Sequence, residues 1–238
     1  MDASEKSDYP QRFRQLSTGV IWVLDVVEER IERLMSMHRL EALTDGVFAI
    51  AMTILVLGLD VPSLGENPTS LLLLDRLLGM IPQFVNFVIS FLILGKFWVG
   101  NNVQFHYIEQ TNREHLWRYL LFLIFVVLLP FSTSLMGDYV GVNAAEVVFH
   151  GNLFILGVLN YLNWRFIIDN QVLVDDDKKD VVTLMYYRNG ALGFVIAPLL
   201  AVGLALLTPG YSTLTYVLVP LISRAARRAY PDGGDSFA

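Results

Sequence analysis

A carboxylate stands at the mouth of an apolar helix. Asp45, with Thr44 beside it and Arg39 six residues earlier, opens a run that stays apolar from Gly46 to Leu59. Ionisable side chains are costly in a bilayer, and where they occur they bind ions, relay protons or pair with neighbouring helices. Glu41 and Asp45 lie one helical turn apart and share a face. Spacing alone leaves two roles open. Arg39 could anchor the inner leaflet while Thr44 or Asp45 caps the helix. Alternatively, Arg39, Thr44 and Asp45 form a polar network that holds the helix in register against its neighbours. Farther along, Ile50, Ile54 and Leu57 recur at i, i+4 and i+7 and fall on one face. Thr53 is the one polar group deep in this helix. By spacing alone, lipid contact or bundle packing is the better reading of these four residues.

The elements that must position this helix are also apolar. Of 238 residues 54% are hydrophobic and 17% charged, and the mean hydropathy is +0.50. A soluble domain of this size could not hide that many long apolar runs in one core, so the expected class is an all-α, polytopic membrane protein. With no cysteine there is neither a disulfide nor a thiolate metal site. The polar first residues lack the apolar core of a secretory signal.

Six spans are expected, over 40–59, 80–99, 116–136, 147–168, 184–207 and a short 211–223. Asp60-Val-Pro62, Gly137-Asp138 and Pro209-Gly210 supply breaks between them, and Pro68 and Gly79 fall in the loop after the first. Of 17 Lys and Arg, only Arg76 falls in the loops after spans one, three and five. The positive-inside rule therefore places both termini on the cytoplasmic side. The opposite side carries Asp60, Glu66, Asp75, Asp138 and Glu146. The chain divides into a polar tail 1–16, an amphipathic helix 17–38 lying on the inner interface, a six-helix domain 39–223 and a cytoplasmic tail 224–238.

Other polar groups receive plainer readings. Asp175 to Asp180, DDDKKD, is a solvated inner loop, because adjacent carboxylates do not converge on an ion without a defined turn. Asn86, Asn152, Asn160 and Asn163 hydrogen-bond between helices. His150 is expected near water at the outer end of the fourth span, and His106 and His115 in the inner loop after the second. Trp98, Trp117 and Trp164 suit an inner aromatic belt. No phosphate loop, triad order or zinc spacing is present, and no nucleophile and base cluster at one membrane depth, so an enzyme is not expected.

The stretch Arg39-Leu-Glu-Ala-Leu43-Thr44-Asp45 resembles the R-x-x-x-F-S-D hallmark of the prokaryotic relatives of the endolysosomal potassium channel called transmembrane protein 175. Arg39 and Asp45 match, Thr44 replaces Ser and Leu43 replaces Phe. The second and third helices are similar as well, and Pro130-Phe-Ser-Thr-Ser matches well. After Trp98 the family carries histidines where this chain has Asn101-Asn102, which hydrogen-bond but do not titrate near neutral pH.

The resemblance implies six helices per subunit, a four-fold homotetramer, and first helices lining a cation pathway closed by bulky apolar side chains. Carried onto this sequence, Ile50, Ile54 and Leu57 form the constriction and Thr53 helps coordinate a dehydrated cation. Arg39, Thr44, Asp45 and Trp98 form the structural network, and Asp60, Glu66 and Asp75 make an acidic outer mouth that concentrates cations. The expected function is a potassium-permeable channel of a bacterial inner membrane, with potassium as the permeant ion. No cofactor, metal or nucleic-acid partner is expected, only lipid, monovalent cations and copies of the same chain. The competing reading is a proton-conducting channel or proton-coupled transporter that uses Asp45.

Overall fold

The computed structural model describes residues 37–65, 68–208 and 210–230. The 17–38 helix, Glu66 and the end of the C-terminal tail therefore lie wholly or mostly outside the described residues. Those described are helical, with no β-strand beyond an isolated bridge between Ile108 and Val174. Five helices are long and apolar enough to cross a membrane: Met37–Gly58, Ile81–Tyr107, Arg113–Asp138, Asn143–Asp169 and Val181–Leu207. We label the first α1, the next three α3, α4 and α5, and the two halves of the last α6 (Val181–Gly190) and α7 (Gly193–Leu207). A short helix α2, Ser70–Gly79, precedes α3.

Helix starts follow local chemistry. Thr69 accepts from the Leu72 amide at the head of α2, and Asn112 accepts from the His115 amide at the head of α4, at 2.8 Å. Asp180 accepts from the Val182 amide at the head of α6. Pro82 sits in the first turn of α3, where its missing N–H costs nothing.

Packing splits into two apolar layers. One is built on Phe48, Leu94, Phe122, Val126, Phe149 and Leu153 from α1, α3, α4 and α5. The other, toward the Met37 end, joins Leu40, Tyr119, Trp164, Ile167 and Leu184. Polar side chains stitch the helices between them. Thr133 of α4 donates to Ser90 of α3 at 2.8 Å, and Asn152 of α5 donates to Ser132 of α4. α5 lies so close to α7 that a Cβ at Gly157 would stand 1.9 Å from the Phe194 carbonyl oxygen.

The structure departs from the sequence expectation at several points. The loop after the first span contains α2, whose Leu71, Leu74 and Leu78 are exposed; ten residues are too few to cross, so a span search passes over them. The fifth apolar run breaks at Ala191-Leu192 into α6 and α7. The sixth is a 3-10 helix, Ser212–Leu218, running into α8, Val219–Arg227. The larger 3-10 rise lengthens this segment to about 27 Å, close to the roughly 30 Å of a bilayer core. Trp164 is buried and stacked on Tyr187 at 5.5 Å, so it belongs to the core and not to an interfacial belt. His115 lies in α4, buried, with its Nδ1 2.8 Å from the Thr111 hydroxyl.

At the Met37 end two loops are clasped. The Glu109 amide donates to the Leu173 carbonyl and the Asp175 amide to the Tyr107 carbonyl. Lys178 adds a bond to the His106 carbonyl at 3.0 Å. The acidic run is consumed locally: Lys178 pairs with Asp175 at 3.1 Å, Lys179 pairs with Asp176, and Asp180 caps α6. The hydrogen bond from Lys178 holds the Asp175 carboxyl below the usual range, and the Thr183 hydroxyl does the same for Asp180.

Candidate functional site: the open face of α1

α1 has two unlike faces. Met37, Leu40, Thr44, Phe48, Ala51 and Leu55 recur every three or four residues and are all buried. This seam packs on α3 and α4, with the Phe48 and Phe122 rings 6.2 Å apart. The other face is open. Ile50 is 60% exposed, Ile54 43% and Leu57 73%. Bulky aliphatic residues on a face that finds no cover within its own chain need lipid or another chain against them.

The last turn, Leu55–Gly58, tightens to 3-10 geometry. Leu57 therefore sits farther along the axis than an unbroken α-helix would put it. Thr53 is on the open side, and its hydroxyl donates back to the Ile50 carbonyl at 2.8 Å. A hydroxyl so engaged keeps its oxygen lone pairs, so it can still offer an acceptor to a cation.

Of the expected network, the structure brings together Asp45 and Trp98: the indole Nε1 donates to Asp45 Oδ1 at 2.8 Å. Thr44 is buried and donates to the Leu40 carbonyl one turn back, also at 2.8 Å. Arg39 is exposed, and among the described residues no ion pair joins it to Asp45. Leu43, in the hallmark's aromatic position, is 46% exposed. Asn101 is buried, while Asn102 is partly so. At the Gly58 end, Asp60 and Asp75 line one shallow cavity of about 520 Å³ with Arg76 and Gln83, so a guanidinium stands among the carboxylates expected at an outer mouth.

A second polar constellation escaped the sequence reading. Glu146 and His150, expected in an outer loop and near water, are fully buried on α5. The Gly210 amide donates to Glu146 Oε1 and the Ser212 hydroxyl to Glu146 Oε2. Because Ser212 gives its proton to the carboxylate, its oxygen accepts from His150 Nε2–H at 2.7 Å. His150 Nδ1 is then the acceptor for the Tyr216 hydroxyl, also at 2.7 Å. The i, i+4 spacing of Glu146 and His150 was the available signal; their partners lie more than sixty residues away. This row fastens the 212–218 segment to α5 by donors and acceptors that are all used.

These arrangements can be set beside known proteins. The family model described as endosomal/lysosomal potassium channel TMEM175 matches residues 39–130, which hold α1, α3 and the first part of α4. A crystal structure of a lysosomal potassium-selective channel TMEM175 homolog from Chamaesiphon minutus superposes with a TM-score of 0.64 at 25% identity, covering 81% of this chain and 98% of that one. The chain is similar to the TMEM175 family over residues 39–130 and shares the fold of that TMEM175 homolog. Among curated relatives, a potassium channel of Streptomyces collinus is 34% identical over 110 residues, 46% of this chain. That match spans 52% of the relative, about half its length. A potassium channel of Chryseobacterium is 28% identical over 71% of this chain and 88% of its own. The TMEM175 match thus takes in both faces of α1 and the Asp45–Trp98 pair, while the buried Glu146 row lies beyond the matched residues.

Proposed function

We propose that the chain is a potassium-permeable cation channel in which four copies surround a central pathway lined by α1. The observation that carries this reading is the open aliphatic face of α1, opposite a fully packed seam, within the family-matched residues. Its relatives in Streptomyces and Chryseobacterium are named potassium channels. In the assembly Ile50, Ile54 and Leu57 stack as apolar rings about 5–6 Å apart along the axis. Such rings gate by dewetting, and they favour the larger, more easily dehydrated ion. Thr53 offers an oxygen at the same depth. Asp45 and Trp98 hold the helix, together with Arg39 and Thr44, and Asp60, Glu66 and Asp75 gather cations at the outer mouth.

The 212–227 segment crosses as a sixth span, so both termini and the basic residues that close the chain face the cytoplasm of a bacterial inner membrane. The indole bond to Asp45 supports an anchoring role for that carboxylate over a proton-carrying one. Ile50→Asn places a polar ring in the constriction. In liposomes holding the purified tetramer it raises potassium flux, and unchanged flux with the tetramer intact overturns the pore assignment. A reversal potential measured across a potassium/sodium gradient then reads the ion preference.

A further inference from the structure

A cleft of about 1100 Å³ lies between α3 and the 212–227 segment, with α6 closing one side. Its two long walls are sorted in the same direction. On α3, Ile89, Leu92 and Ile93 come first and Lys96 follows. On the facing wall Leu214 and Val217 come first, and Arg224, Arg227 and Arg228 follow. Lys96 and Arg227 lie within electrostatic reach of each other, so the basic ends of the two walls meet. Among the described residues that line the cleft there is no carboxylate.

Arg227 is held for this purpose rather than left to wander. Its guanidinium lies over the Tyr186 ring at 4.7 Å. It rests directly on Gly190, where a Cβ would stand 2.3 Å from Nε and Nη2. The Nε is buried and makes no hydrogen bond within the chain. Cations gathered without a counter-charge repel one another, and an unpaired buried N–H is costly. The arrangement calls for an anion at this end, and the apolar walls call for hydrocarbon beyond it.

We propose that the cleft binds one anionic phospholipid, its phosphate among Lys96, Arg224 and Arg227 and an acyl chain along Ile89, Leu92 and Leu214. Basic pockets between membrane helices on the cytoplasmic side suit this headgroup chemistry, and the long basic side chains reach the headgroup level from within the apolar layer. The proposal rests on the cytoplasmic placement of the C-terminal residues but not on ion conduction. Lipid retention and potassium flux are measured separately and fail separately.

The test is native mass spectrometry of the full-length purified protein, titrated with dioleoyl phosphatidylglycerol or dioleoyl phosphatidylcholine. Phosphatidylglycerol is retained preferentially, and Lys96→Gln with Arg224→Gln lowers that preference by roughly fivefold for each charge removed. Leu214→Trp fills the apolar part and lowers retention of both lipids. Arg224→Gln alone, at an exposed position, keeps the test usable where the double variant does not fold. Equal retention of the two lipids, or a preference untouched by the charge variants, overturns the proposal. So does complete competition by inorganic phosphate, which marks an ion site without a lipid. A second copy seated in the cleft is an overturning outcome too: in this cysteine-free chain Leu92→Cys with Leu214→Cys would then form disulfide-linked dimers.

Discussion

α1 and α5 are both apolar spans, yet they are used in opposite ways. Of the most apolar stretch of α1, 28% is buried within the chain; for α5 the figure is 50%. α5 packs on α4 and α7, carries the buried Glu146 and His150, and leaves their polar atoms satisfied. α1 packs one seam and presents bare aliphatic side chains on the other. α5 has the larger share of its surface met by its own chain, whereas α1 leaves more of its aliphatic face bare. If the proposed pore is right, substitutions on α5 register as stability and substitutions on the open face of α1 register as ion flux.

Three substitutions break or sharpen that contrast. The largest effect is expected on the scaffold side at Gly157→Val, whose side chain has no room against the Phe194 carbonyl. Forcing α5 and α7 apart costs about 3 kcal/mol, read as a fall in thermal midpoint of the detergent-solubilised protein; an unchanged midpoint would mean that α5 and α7 do not approach as closely as described. Next is Ser212→Ala, which removes the hydroxyl that joins Glu146 to His150. Leaving two buried groups short of a partner costs about 1–3 kcal/mol. This loss should appear in unfolding while potassium flux per folded protein stays the same; a changed flux at unchanged stability would move the row out of the scaffold.

The smallest effect is at Asp180→Ala, which uncaps α6 at a cost of about 1 kcal/mol. Its sign with pH follows from the lowered Asp180 value, set first by the Thr183 hydroxyl. The cap contributes fully above the ordinary carboxylate value of about 3.9, and its contribution is lost as pH falls through the lower folded-state value. Melting curves of wild type and variant should therefore differ by a constant amount near neutrality and converge in acid.

Much of this contrast is legible in the sequence, and what is missed has physical causes. Long apolar runs announce spans because crossing a bilayer demands them, and the i, i+4 recurrence of Ile50 and Ile54 survives in the open face of α1. The hallmark stretch leads to the family, and Trp98 and Asp45 meet although 53 residues separate them. Hydropathy is blind to the break at Ala191-Leu192, since both sides of it are apolar; the break belongs to packing against the segment that follows. It is equally blind to where Glu146 goes. A carboxylate beside a loop reads as solvated, and only the return of Gly210 and Ser212 encloses it. Trp164 and His115 mislead in the same way, because a residue at a helix end can face water or core and the sequence does not say which.

The row from Tyr216 to Glu146 has one more consequence. Tyr216 stands in the wall of the large cleft, and Glu146 in the wall of a smaller cavity of about 130 Å³ beside Asn86 and Gly210. The row thus reaches from the lining of one cavity to the lining of the other. Each link donates in the same sense, so it carries a polarity. Because Ser212 and His150 are fully buried and each is held on both sides, removing either one strands a buried neighbour in each direction.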